Sequence, residues 1–300
     1  MAGNPVLRAV SYYYRRYYGK SDEKFDRDKY PFPIDAEELD DLDLAHHFLR
    51  EACRGSLFSS PLDPNDGLRV LDLGTGTGIW PVELAEEYPN IVVQGVDFNR
   101  IQPLRIPRNM LLLELDIEQD WDAIGHGWDL IHVRTMLGSI HNWKDLYCRA
   151  FKHLKPLGYL EHVEIDWVPR SHGRPLIGTA LDVWADAILT AMDKRGRSMR
   201  VDPARTRHQL WAAGFTDITE SATRICFSGW SGDVHEEMVA RYFNGWFKRR
   251  LPAMSYRPLM ETCGMTKEFV QHLCEGAYEV SRTLHYEAYC LLYVWIARKA

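Results

Sequence analysis

No apolar run in this 300-residue chain approaches the ~20 residues that a membrane helix needs, so no membrane span is expected. The first residues lack the apolar core of a secretory leader. The six cysteines are scattered: none forms a CxxC pair, and no Cys/His spacing suggests a zinc site. They read as reduced thiols of an intracellular protein, and no metal is expected. Positive charge is not in excess either. The 36 Lys and Arg face 42 Asp and Glu, which gives nucleic acid no long-range attraction, so no direct nucleic-acid binding is expected. Internal repeats and low-complexity blocks are also missing.

What is present changes character near residue 68. Residues 1–67 read as an N-terminal arm, broken by Pro31 and Pro33, followed by an amphipathic helix over 36–54 and a Ser/Pro/Asp/Gly loop over 55–67. From 68 to 300, short apolar runs alternate with helical patterns. Strands are predicted at 68–73, 91–96, 110–115, 128–133, 158–165, 217–227 and 289–298, with helices at 79–88, 143–154 and 205–213. Strands alternating with helices imply an α/β fold with a seven-stranded, mostly parallel sheet. Residues of about 229–284, rich in aromatics and helix formers, read as a helical cap inserted before the last strand.

The strongest local signal is VLDLGTGTGI at 70–79. An apolar strand runs into Gly74, Gly76 and Gly78, and a helix follows. Glycine lets the backbone turn sharply and approach a ligand closely, and the helix start offers free N–H groups. A dinucleotide loop, GxGxxG, would need glycine where Ile79 stands. The observed GxGxG, with Asp72 before it and Thr75 within it, is the pattern typical of Rossmann-like class I methyltransferases that use S-adenosylmethionine. Asp97 lies 19 residues beyond Gly78 at a strand end, where a carboxylate can accept both ribose hydroxyls, with Phe98 beside it. Asp116 and Ile117 follow the third strand, where a polar group meets the adenine amine. Arg134 ends the fourth strand and is expected to line the donor pocket, with Tyr18 and Tyr30 of the arm closing it against water. LWAAGFTDI at 210–218 resembles the element before the sixth strand of many such enzymes.

Longer motifs are more specific. YYG at 17–19, YPFPID at 30–35, LDL at 42–44, the glycine loop through Trp80, IQP at 101–103, WDLIH at 128–132, LKP at 154–156 and EHVEID at 161–166 together resemble the LaeA-like fungal methyltransferases, across nearly the whole chain. That resemblance implies velvet-domain protein partners, a place in nucleus and cytoplasm, and a role in secondary metabolism and sporulation.

Methyl transfer from a sulfonium is an in-line displacement that mainly needs alignment and exclusion of water; a base is needed only when the acceptor must lose a proton. The sequence therefore assigns no catalytic residue and no methyl acceptor, although a protein acceptor is favoured over a small metabolite. A third alternative is a donor-binding regulator with little turnover. The fourth strand lacks the Asn/Asp-Pro-Pro-Tyr element of adenine and glutamine methylation. His132, His141 and His162 are candidate bases, more simply read as structural. Alternation puts Glu161 and Glu164 on opposite strand faces and Glu164 with Asp166 on one, with a solvated strand end expected. Tyr242, Phe243, Trp246, Phe247 and Tyr256 are expected to frame an acceptor cavity or a docking surface. FKRR at 247–250 reads as a solvated helix face, with a weak resemblance to a nuclear-localisation signal.

Overall fold

The computed structural model describes residues 30, 32 and 36–300. Helix α1 spans Ala36–Ala52, with Glu37 and Glu38 in its first turn and Arg50 in its last, as the helix dipole favours. Then follow β1 (Arg69–Leu73), α2 (Ile79–Glu87), β2 (Val92–Asp97), β3 (Met110–Glu114), β4 (Trp128–Arg134), α3 (Trp143–His153) and β5 (Leu154–Ser171). Helices α4 (Ala180–Lys194) and α5 (Pro203–Ala212) precede β6 (Thr216–Cys226). Between β6 and β7 (Ala288–Arg298) lie α6 (Val234–Arg257), a π-helical turn (Pro258–Thr262) and α7 (Lys267–Arg282). Side chains at the starts of α3 to α7 cap them: Asn142, Thr179, Asp202, Asp233 and Thr266 each accept a backbone N–H of the first turn.

The sheet order is β3-β2-β1-β4-β5-β7-β6, with only β7 antiparallel to its neighbours β5 and β6. The chain runs outward one way from β1 to β3 and the other way from β4 on. The carboxyl ends of β1 and β4 therefore border the point where strand order reverses, and in an open α/β sheet that point opens a crevice. The core falls into clusters on the two sheet faces. The larger joins Phe48 of α1 with Trp184 and Ile188 of α4, Phe243 and Phe247 of α6, and Ile165 and Trp167 of β5. Among the described residues, no helix is long and apolar enough to cross a membrane.

Four expectations change. Helix α4 has no counterpart in the predicted elements, and β5 is an 18-residue strand, far longer than its predicted core. The end of β5 is not solvated: Glu161, Glu164 and Asp166 are all buried, because β5 is an inner strand with both faces covered. The FKRR stretch is likewise not a free helix face. Phe247 is fully buried, Arg249 pairs with Asp41 and buried Arg250 pairs with Glu38.

Candidate functional site

At the end of β1, the N–H groups of Gly74 and Thr75 both donate to the Val96 carbonyl, at 2.8 and 3.0 Å, docking the glycine loop on the end of β2. Gly74 has φ +70°, and a Cβ there would run into the thioether of Met136. The loop thus passes against the β4 turn with no room for a side chain. Gly76, at φ +55°, donates its N–H to Asp97 Oδ2 at 2.8 Å. Asp97 Oδ1 accepts from Asn99 N at 2.9 Å. Burial pushes the Asp97 carboxyl up to about 6, against the pull of these N–H groups. Gly78, at φ +80°, caps α2.

Asp72 is placed otherwise. Its Oδ2 accepts from Thr75 Oγ1 at 2.7 Å, and its Oδ1 meets His132 Nδ1 at 2.8 Å. The His132 ring stacks on Trp80 with centroids 3.9 Å apart. Asp72 and Thr75 therefore brace the loop from beneath.

A cavity of about 1120 Å3, counting its open mouth, lies over the carboxyl ends of β1, β2 and β4. Gly74, Gly76, Asp97, Phe98, Ile117 and Arg134 line it, and so does Tyr30. Asp72, Thr75, Gly78 and Asp116 are not on its wall; Asp116 sits between two residues that are, Leu115 and Ile117, and accepts from Glu118 N at 2.9 Å. Tyr18 lies outside the described residues. The far half of the cavity is mostly apolar, with Phe32, Phe48, Trp167, Met199, Trp246 and Met254, and Arg250 also lines it. The Trp246 ring lies 4.9 Å from Phe48 and 5.8 Å from Trp167. Of the five cap aromatics singled out in the sequence, Trp246 alone is on this wall; Phe243 and Phe247 belong to the core.

Several residues around the site take no role from the sequence, although Asp43, like Tyr30, falls in its family motifs. Helix α1 lies across the donor loop and reaches the cap. Asp43 accepts from Thr77 Oγ1 at 2.6 Å, and burial pushes its carboxyl up to about 7. His46 bridges Glu83 Oε2 at 2.8 Å and Arg134 at 3.0 Å. Burial holds the His46 imidazole down to about 4, whereas the bonds from His46 and Arg50 draw Glu83 down to about 2. Glu38 accepts from Tyr30 Oη at 2.7 Å and from Arg250, whose guanidinium lies 4.7 Å from the Phe32 ring. Burial and the adjacent Glu38 charge push the Tyr30 hydroxyl up. A signal for this existed: Glu38 and Asp41 share the helical stripe of Ala45, Phe48 and Ala52, and carboxylates in an apolar stripe require partners.

None of the candidate histidines reaches the cavity. His132 is under the loop, His141 Nδ1 meets the Gly196 carbonyl at 2.8 Å, and His162 lies between Tyr147 and Glu164.

The methyltransferase-domain family model matches residues 44–220. The chain is 41% identical over 278 residues to "Secondary metabolism regulator LAE1" of Gibberella fujikuroi, covering 90% of this chain and 87% of that one. It is 37% identical over 299 residues to the LAE1 regulator of Hypocrea atroviridis, covering 98% and 84%. It is 36% identical over 283 residues to "Protein-methionine methyltransferase laeA" of Emericella nidulans, covering 94% and 75%.

Proposed function

The chain belongs to the LaeA-like family of S-adenosylmethionine-dependent methyltransferases, and on that premise we propose that it methylates a thioether sulfur, a methionine side chain of a protein. The observation that carries this reading is the acceptor half of the cavity. Its wall is mostly apolar and aromatic, the Arg250 on it is paired with Glu38, and among the described residues no histidine lines it. The carboxylates that do line the cavity are engaged: Asp97 by Gly76 and Asn99, Glu164 by the N–H groups of Met136 and Leu137. A thioether needs no base. Its lone pair forms the new S–CH3 bond as the donor's S–CH3 bond breaks, and the positive charge passes to the acceptor with no proton released. Phe48, Trp167 and Trp246 line that half, and the face of an aromatic ring attracts a cation such as the sulfonium so formed.

Bound S-adenosylmethionine supplies the electrophilic methyl group. The cradle fits it: around a Cβ at Gly76 only Leu42 Cδ1 comes within 4 Å, at 3.8 Å, so the loop faces open space there, and the Asp97 carboxylate stands beside it. In this reading Asp97 holds the ribose hydroxyls and Gly74 and Gly76 admit the amino-acid portion. Phe98, Asp116 and Ile117 surround the adenine, Arg134 borders the donor, and Tyr30, with Tyr18, shields it. Asp72, Thr75 and Gly78 hold the loop in shape. The helices after β6 cap the acceptor. The cellular setting follows from the relatives' names and the resemblance: control of secondary metabolism and sporulation, with velvet-domain partners, in nucleus and cytoplasm.

A small apolar metabolite is the second reading, favoured by the enclosure of the same cavity under α6. One assay separates the two. Purified protein is incubated with methyl-labelled donor and cell extract. Label in protein, with peptide mass spectrometry placing one added methyl on methionine, is the expected result. Label confined to the low-molecular-weight fraction overturns the protein reading.

A further inference from the structure

Glu164 has no part in the reading above beyond being engaged, yet its placement is unusual for a buried carboxylate. It stands on β5 beside β4, is 2% exposed, and lines the donor cavity. Its Oε1 accepts from Met136 N at 2.7 Å and Leu137 N at 3.1 Å, two successive peptide N–H groups. Such a pair forms a nest for an anion. The same oxygen meets His162 Nε2 at 3.2 Å, and His162 Nδ1 meets Tyr147 Oη at 2.9 Å. All donors and acceptors agree if Tyr147 donates to Nδ1 and Nε2–H donates to Glu164. The His162 ring is packed between Trp143, at 4.4 Å, and Trp295, at 5.2 Å, so the relay has a rigid backing.

The turn that Glu164 grips is strained. Thr135 has φ +52°, a region a β-branched residue rarely adopts. The Thr135 N–H donates to the Val163 carbonyl at 2.9 Å, and the next residue, Met136, presses its thioether against Gly74. One short segment thus forms the cavity wall beside the glycine loop, and its relaxed conformation would move Met136 and Leu137 along that wall.

We propose that Glu164 is a positioning residue for methyl transfer, clamping the strained Thr135–Leu137 turn so that the donor and acceptor halves of the cavity meet in line. The inference rests on the donor-site reading above. If the clamp acts against strain at Thr135, glycine at that position, which accepts positive φ freely, removes the need for it.

The test uses the full-length protein, Glu164→Gln, Thr135→Gly and the double variant. Amide hydrogen exchange without donor reads the turn directly. Exchange at residues 136 and 137 should quicken about tenfold or more in Glu164→Gln, as a charged acceptor of two buried N–H groups is lost, and slow again in the double variant. Calorimetric titration with S-adenosylmethionine and steady-state transfer then read function. Glu164→Gln should weaken donor binding and lower kcat, with the acceptor KM less affected, and Thr135→Gly in that background should restore both. Unchanged exchange in Glu164→Gln, or a functional loss that Thr135→Gly does not restore, overturns the inference. Should Glu164→Gln fail to fold, Glu164→Asp, which withdraws the carboxylate from the turn, takes its place with the same expectations. Exchange that responds as expected in a protein that binds no donor overturns the donor-site reading instead, and with it the role in transfer.

Discussion

Donor affinity should depend on pH through Asp97. The carboxylate that would take the ribose hydroxyls is half-buried among backbone groups, and that loss of water raises it to about 6. Ionised, it accepts two hydroxyls; protonated, it has lost one acceptor oxygen and the charge. If only the ionised form binds donor, the apparent Kd scales as one plus the ratio of protonated to ionised carboxyl. With the midpoint near 6, affinity is almost flat above pH 7 and about tenfold weaker at pH 5. The direction follows from the raised value: acid favours the form that cannot bind. Asp97→Asn should weaken binding at pH 7.5 by about 10- to 100-fold, the worth of a charge-assisted hydrogen bond, and should erase the pH slope. Isothermal titration with S-adenosylmethionine from pH 5 to 8, with circular dichroism to certify folding, measures both. Wild-type affinity that stays constant down to pH 5, or an Asp97→Asn protein that binds like wild type, would refute the assignment.

Further outcomes can be checked on the same preparations. Asp43 is raised to about 7 from an ordinary value near 4, so the fold holds its proton longer than the unfolded chain and loses stability as pH rises from about 4 to 7. Asp43→Asn keeps an acceptor for Thr77, so its Tm should match wild type near pH 4 and exceed it increasingly up to pH 8. His46 shows the opposite sign. Held down to about 4, it is buried neutral, so its contribution is full above pH 6.5 and is lost as pH falls towards 4. Gly74→Ala should displace the Met136 thioether and strain the loop at φ +70°, and so weaken donor binding by titration about tenfold or more. Arg250→Met strips the countercharge from buried Glu38 and should cost about 3–5 kcal/mol in urea unfolding, most of it recovered in Arg250→Met/Glu38→Met.

The donor half of the site was legible because it is local. A strand, three glycines at positive φ and a helix start occupy contiguous residues, and Asp97 follows at the next strand end, so type and spacing alone indicate the chemistry. The acceptor half was legible only in Trp246, because its walls come from residues 32, 48, 167, 199, 246 and 254, which only the folded chain brings together. Helix α4 did carry a period in Leu181, Trp184, Ala185, Ile188, Leu189 and Met192, but it follows a Pro- and Gly-broken stretch and bears no motif. Alternation along β5 assigned faces to Glu161, Glu164 and Asp166. It could not say that helices cover both faces, and that fact turns a solvated strand end into a row of buried acceptors.

Helix α1 touches the donor loop through Asp43, the end of β4 through His46 and the cap through Asp41 and Glu38. If α1 has more than one setting, linkage makes such a shared strut a two-way device. A protein that grips α1 and favours one setting of it changes the affinity for the methyl donor by some factor, and the donor changes that protein's affinity by the same factor. Metabolic supply of the donor and assembly of a regulatory complex would then be read as a single variable.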